Sequence, residues 1–319
     1  MHIPDGFLDT KTVIATSALS VAGVAVALRH FKAEDQPRKI PLLGLTAAFV
    51  FASQMLNFPV AGGTSGHLIG AVLTAILLGP SAAVIVITSV LVVQCFLFAD
   101  GGVSALGANV FNMALVAPLV GYAIYAAMHK VYSGIRGTIV AASFASWCSA
   151  VIASVCCTGE LALSGTVPWS TAFVAMTGVH ALIGIGEGLI TALVLAALHA
   201  TRPELLRAED ESGRPGDAKT FVLYGLLVVI GLLLFVVPFA SPLPDGLERV
   251  AKDLGFDYTA AKHPALPAPF GAYRFPGIAG GAASAVVSGI VGVVAVFALS
   301  VGLSFVLFPR GGKTVQQKP

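Results

Sequence analysis

TAFVAMTGVHALIGIGEGLITALVLAAL, running from Thr171 to Leu198, decides the fold class. As an α-helix rising about 1.5 Å per residue it is about 42 Å long, more than the roughly 30 Å of a bilayer's hydrocarbon core. His180 and Glu187 are its only ionisable residues. Similar apolar runs lie at Thr12–Leu28, Ile40–Pro59, Ala82–Phe98, Ala105–Met128, Thr138–Cys157, Phe221–Ala240 and Ile278–Phe308. The chain is 56% hydrophobic and 11% charged, whereas soluble domains carry about 25% charged residues. No stretch alternates with period two over about ten residues, so a membrane β-barrel does not fit. The expected fold is an all-α polytopic helical bundle in a cell (inner) membrane, with the lipid bilayer as solvent and no nucleic-acid surface.

Charge sets the expected orientation. Counting the short segment Leu68–Leu78 gives nine spans. With the N-terminus outside, 13 of the 18 basic residues then fall on the inner side, leaving Lys11, Arg249, Lys252, Lys262 and Arg274 outside. This is the positive-inside bias, and it depends on Leu68–Leu78 spanning: a re-entrant segment would invert everything downstream. No secretory signal pattern precedes the first apolar run, so Met1 is expected to be the mature terminus. Residues 1–200 form a membrane block with short loops. The polar stretch 201–219, with Arg202, Glu204, Arg207, Glu209, Asp210, Glu211 and Arg214, reads as a cytoplasmic linker. Residues 220–319 form a second block of two spans around an outer loop, 241–277. The tail Gly312-Lys313-Thr314 does not make a phosphate loop, because Leu307 stands where that motif needs glycine. Any ATP-driven step belongs to another subunit. Cys95, Cys148, Cys156 and Cys157 lie in or at the ends of apolar runs without metal or disulfide spacing.

Three places carry chemistry. Met1-His2-Ile3-Pro4-Asp5-Gly6-Phe7-Leu8 contains a proline–aspartate–glycine turn that bends the terminus back toward the bundle. A histidine at position two lets the Met1 α-amine, the His2 backbone nitrogen and the His2 imidazole close two adjoining chelate rings. Three nitrogens in one plane suit Ni2+ or Cu2+. In most proteins such a residue is only a polar chain end. Here the glycine-rich break Ala61-Gly62-Gly63-Thr64-Ser65-Gly66-His67 lies on the same side. Irregular backbone at membrane depth belongs where it lines a cavity, and His67 could supply a fourth nitrogen. His180 and Glu187, seven residues apart, share a helix face. They either relay metal or protons, or hydrogen-bond neighbouring helices. Asn109 and Asn112 join helices or stand behind the metal ligands, a place also open to Ser65. Thr16/Ser20, Ala18/Ala22 and Gly23/Ala27 allow close helix approach, within the bundle or to a partner.

Taken together, the start Met-His-Ile-Pro-Asp-Gly-Phe-Leu, the loop ending Ser65-Gly66-His67, the stretch Gly107–Met113 and the helix Val179–Glu187 resemble the CbiM/NikM family. These are substrate-binding membrane subunits of energy-coupling-factor (ECF) transporters for cobalt and nickel. Pro244-Asp245-Gly246-Leu247-Glu248 resembles the PDGLE signature of the small two-span subunit that accompanies them, so the chain looks like a fusion of the two. The resemblance implies a four-nitrogen site for Ni2+ or Co2+, the transported substrate, from Met1, His2 and His67. It also implies a transmembrane coupling subunit and two cytoplasmic ATPases as partners. Nickel is the favoured ion. The competing expectations are Co2+ uptake for cobalamin synthesis and a secondary metal/proton transporter. An intramembrane metalloenzyme lacks a His-Glu-x-x-His motif to support it.

Overall fold

The computed structural model describes residues 1–31, 39–206, 218–263, 265–279 and 281–307. The chain is an integral multi-pass membrane protein built almost entirely of helices. Among the described residues, seven helical stretches are long and apolar enough to cross a bilayer: Thr10–His30, Pro80–Phe98, Leu106–His129, Gly134–Leu163, Trp169–Thr201, Val222–Phe239 and Gly281–Leu303.

In chain order, α1 (Thr10–His30) starts at Asp9, whose side chain accepts a hydrogen bond from the Thr12 N–H and so caps it. α2 (Lys39–Gln54) leads into a hairpin of β1 (Phe58–Val60) and β2 (Thr64–Gly66), in which Pro59 lies opposite Ser65. Its turn requires positive φ at Gly62 and Gly63, +87° and +75°. α3 (Ala71–Leu78) is followed after Gly79 by α4 (Pro80–Val93), which continues into a π-helical turn, Gln94–Phe98. α5 (Leu106–Asn109) passes through a second π-helical segment, Val110–Val116, into α6 (Ala117–His129). α7 (Gly134–Leu163) and α8 (Trp169–Thr201) are the longest helices, and α9 (Ala218–Phe235), α10 (Gly246–Leu254) and α11 (Gly281–Leu307) complete the chain.

Loops from distant parts of the sequence meet at one end of the bundle. The Ser164 hydroxyl donates to Asp9, the Ser241 N–H to Asn57 and the Phe270 N–H to Leu97. Arg29, Lys130, Arg136 and Arg202 lie toward the opposite helix ends.

Leu68–Leu78 does not form one helix. The eight residues of α3 span about 12 Å, too little to cross a membrane. Glu187 takes the N–H groups of Ile69 and Gly70, and Gly70 has φ +74°, so the helix starts only at Ala71. Below it, Leu73 packs with Ala142 and Leu195, and Leu206 leans on the same cluster. Helix therefore fills the half of this passage away from the loops, and folded loop fills the half nearer them. The run Ile40–Pro59 is likewise shortened: α2 ends at Gln54 and Pro59 belongs to β1.

α7 and α8 pack closely through small residues: Gly184 lies against Trp147 and Gly188 against Ser143, while the Trp147 indole donates to the Ala181 carbonyl at 2.9 Å. The second block packs on α2, with Gly292 of α11 against Phe51 and Gly225 of α9 against Leu45. α1 contacts the bundle through Ser20, whose hydroxyl donates to the Gly107 carbonyl at 2.6 Å, and through Gly23 against Leu115. Ala18 and Ala22 face outward. The 241–277 loop carries α10, an amphipathic helix closed at its start by a capping box of Asp245 and Glu248 and at its end by Gly255 in the left-handed conformation. Most of 201–219, and the whole Gly311–Thr314 stretch, lie outside the described residues.

Candidate metal centre

Residues 1–9 form a strap threaded into the loop end of the bundle. Ile3 (0% exposed) and Phe7 (3%) are its apolar anchors, and Phe7 meets Phe256 edge-on at 5.3 Å. A buried strap must have its backbone groups satisfied, and here other elements do so. Asn109 accepts from the Ile3 N–H at 2.8 Å and donates to the Ile3 carbonyl at 3.1 Å, which also receives the Gly102 N–H at 2.8 Å. The Asp5 carboxylate accepts from the Ser104 N–H and hydroxyl and from the Ala265 N–H. The Ala261 N–H donates to the Asp5 carbonyl, and the Thr166 hydroxyl to that of Phe7.

The strap places the Met1 amine 2.9 Å from His67 Nε2 and 3.0 Å from Asp245 Oδ2. His67 Nδ1 faces the Leu68 carbonyl at 3.4 Å, so with the proton on Nδ1 the Nε2 lone pair points at Met1. The His2 ring stacks on His67, centroids 5.3 Å apart at 29°. Its Nδ1 lies 3.3 Å from Asp100 Oδ1 and its Nε2 3.2 Å from Gln94 Oε1. Asp100 in turn accepts from the Tyr273 hydroxyl at 2.6 Å. Met1, His2 and His67 are thus together. Among the described residues no three His, Cys, Asp or Glu side chains form a metal-binding group by themselves; any such site here needs the amine.

Burial pushes His67 well below the usual imidazole range, and the Met1 ammonium and His2 add to it. Burial also lowers His2, against the opposing pull of Asp100. For Asp245, burial alone would raise the pKa. The Met1 ammonium, the Glu248 N–H and His67 outweigh it and hold the carboxyl below its ordinary range.

The remaining sequence candidates separate by position. Ser65 turns away from the imidazoles: its hydroxyl donates to Leu243 and its N–H to Pro244, fastening β2 to the 241–277 loop. Asn112 donates to Glu160 at 2.7 Å, joining the π-helical segment to α7 rather than touching the strap. Glu187 takes the Ile69 and Gly70 N–H groups at 2.6 and 3.0 Å, serving as the polar start of α3. His180 Nδ1 bonds the Met176 carbonyl at 2.8 Å, and its Nε2 is buried without a partner. His180, Glu187, Met1, His67, Asp245 and Gly246 line one cavity of about 10 Å³, at the lower limit for one water.

Residues 2–205 match the family described as cobalt uptake substrate-specific transmembrane region, and residues 219–309 match the PDGLE domain. The chain belongs to this cobalt-uptake transmembrane family, CbiM. It is 35% identical over 306 residues to a putative fused nickel transport protein NikMN of Archaeoglobus fulgidus, across 95% of this chain and 98% of that one. It is 37% identical over 246 residues to the fused nickel transport protein NikMN of Rhodobacter capsulatus, across 72% and 71%. A crystal structure of a transition metal transporter superposes with a TM-score of 0.57 at 33% identity, covering 67% of this chain and all of that one.

In this CbiM-family chain, sequence reasoning passed over several residues at the centre. Asp245 was visible only as part of the PDGLE signature, and Gln94 and Asp100 as isolated polar residues at the end of an apolar run. One signal was available: Pro-Asp-Gly occurs both in Ile3-Pro4-Asp5-Gly6-Phe7 and in Leu243-Pro244-Asp245-Gly246-Leu247. The first makes the turn of the strap, the second the capped start of α10, and Asp245 meets Met1.

Proposed function

We propose that the chain is the metal-capturing membrane subunit of an ATP-driven importer, taking Ni2+ from outside and passing it inward with a coupling subunit and two ATPases. The observation that carries the reading is the 2.9 Å approach of the Met1 amine to His67 Nε2. Nitrogen donors about 2.0 Å from a metal at the corners of a square sit about 2.8 Å apart along an edge. The amine, the His2 backbone nitrogen and the His2 imidazole supply the chelate, and His67 closes it. Only Nδ1 of His2 can close a six-membered ring with the His2 backbone nitrogen, so the ion would take the place of the Asp100 contact while Nε2 keeps Gln94. The PDGLE loop brings strap and hairpin together through Asp245 on Met1 and the Leu243 and Pro244 carbonyls on Ser65. The planar nitrogen set and the nickel names of the fused relatives favour Ni2+ over Co2+.

The test is Ni2+ and Co2+ binding to purified protein with an unmodified N-terminus, alongside His2→Ala, His67→Ala and a form with one residue added before Met1. The expected result is a yellow, diamagnetic nickel complex lost in all three. Tight binding by the extended form refutes the ligand set.

A further inference from the structure

The cavity beside the chelate has an ionisable residue of α8 at each end, and the two are in opposite states. Glu187 already uses both oxygens on the Ile69 and Gly70 N–H groups. His180 does not. Its Nδ1 is held by the Met176 carbonyl, so with the proton there the Nε2 carries the lone pair. That nitrogen has no partner although the residue is only 3% exposed. A buried polar atom left unsatisfied is costly and calls for an explanation.

The surroundings of this nitrogen suit a cation. A Cβ built on Gly246 would stand 3.1 Å from His180 Nε2 and 2.8 Å from Ile183, so the ring faces the first turn of α10. Asp245 lines the same cavity; its Oδ1 caps α10 at the Glu248 N–H and its Oδ2 faces the Met1 amine, so its carboxylate is shared with the chelate residue rather than free. Met1 and His67, two of the proposed chelate residues, line it too. An imidazole lone pair and a carboxylate beside the amine and second imidazole make a mixed nitrogen–oxygen donor set, weaker than four nitrogens and suited to holding a divalent ion briefly. His180 lies at the α10 side of the cavity, and Glu187, at the α3 side, is tied up. The free donor is therefore on the side of the PDGLE loop.

We infer that His180 Nε2, with the Asp245 carboxylate, is a transfer ligand: a second divalent-metal position that receives the incoming ion at the PDGLE loop and hands it to the Met1–His2–His67 chelate. Gly246 is the residue that leaves room for it. The inference rests on the four-nitrogen reading above. A ligand that acts only in passing speeds loading and unloading by the same factor and leaves the equilibrium affinity alone.

The experiment is rapid-mixing Ni2+ loading, and unloading to excess chelator, of the full chain with an unmodified N-terminus, followed at the planar nickel absorbance. Wild type is compared with His180→Gln, which keeps a group able to bond Met176 but ligates poorly, and His180→Cys, which loses that bond but ligates. His180→Gln should slow both rates at least tenfold with Kd within twofold, and His180→Cys should stay within threefold of wild type. His180→Gln at wild-type rates, both variants slowed alike, or a shifted Kd would assign His180 to packing and overturn the inference. Failure of the four-nitrogen reading shows separately, as absence of the planar absorbance from wild type.

Discussion

Truncating Asn109 to alanine tests whether the strap must be docked for metal to bind. Asn109 (2% exposed) makes two hydrogen bonds to Ile3 (0% exposed). After Asn109→Ala the Ile3 carbonyl still receives the Gly102 N–H, so only the Ile3 N–H is orphaned. One buried unsatisfied donor costs about 1–3 kcal/mol. The strap escapes that cost by lifting out into water, so the loss falls on the population of docked strap. If only the docked strap binds metal, apparent affinity falls by the factor by which the docked fraction falls, at most about 5- to 150-fold at about 1.4 kcal/mol per decade, the full loss being reached once the undocked strap predominates. The assay is equilibrium Ni2+ titration, with thermal unfolding of the metal-free protein run in parallel to show that the bundle persists. A docked fraction that falls, read by protease cleavage within residues 1–9 of the metal-free protein, with no matching fall in affinity would refute the reasoning, because it would mean that docking through Ile3 is not linked to binding.

Glu187→Ala orphans two N–H groups at the head of α3, an expected loss of about 2–6 kcal/mol in stability read as a lower Tm; an unchanged Tm would deny Glu187 its capping role. Asn112→Ala lowers Tm while leaving Ni2+ affinity within about threefold, since Asn112 touches Glu160 and not the strap. Asp245→Asn removes the counter-ion of the Met1 ammonium and should destabilise the metal-free protein by about 1.5–3 kcal/mol, the worth of a charged hydrogen bond, read as a lower Tm; an unchanged Tm would deny the pair a part in holding the strap. The pH dependence follows from the lowered pKa values of His2 and His67. Below the unfolded value of about 6.5 the unfolded chain protonates these rings while the folded one does not. Stability therefore falls as pH drops from 6.5 toward the folded-state values, by at most about 1.4 kcal/mol per pH unit for each ring. His67→Gln should flatten the slope of Tm against pH between 6.5 and 5, and an unaltered slope would remove His67 as its source.

The membrane fold was legible because a bilayer demands length and apolarity, and both are written along the chain. His2 and His67 were legible for a different reason: a histidine at position two has a chelating chemistry independent of its surroundings. The length of α3 was not, because Leu68–Leu78 is uniformly apolar and its truncation comes from Glu187, more than a hundred residues away. The separate roles of His180 and Glu187 were equally hidden. Their seven-residue spacing puts them on one face, but only the fold shows one satisfied by backbone and the other left open. Asp245 lies at the far end of the sequence from Met1, and no local pattern announces that a capping aspartate also holds an ammonium. The repeated Pro-Asp-Gly sequence was the nearest thing to a notice of it.

Two of the strap's partners belong to irregular stretches of helix: Gln94 opens the first π-helical turn, and Asn109 directly precedes the second. A π-turn holds one residue more than the α-turn it replaces, so each is in effect a retained insertion. Deleting a single codon from 94–98 or 110–116 would straighten the helix and improve its hydrogen bonding, yet would rotate everything beyond it by about 100°. Asn109 would then part from Asn112 and its bond to Glu160, or Gln94 from Asp100. Gene lineages that keep the strap are therefore expected to tolerate substitutions around these segments far better than changes in their length, so that alignment gaps would be rarer there than in the linker between the two blocks.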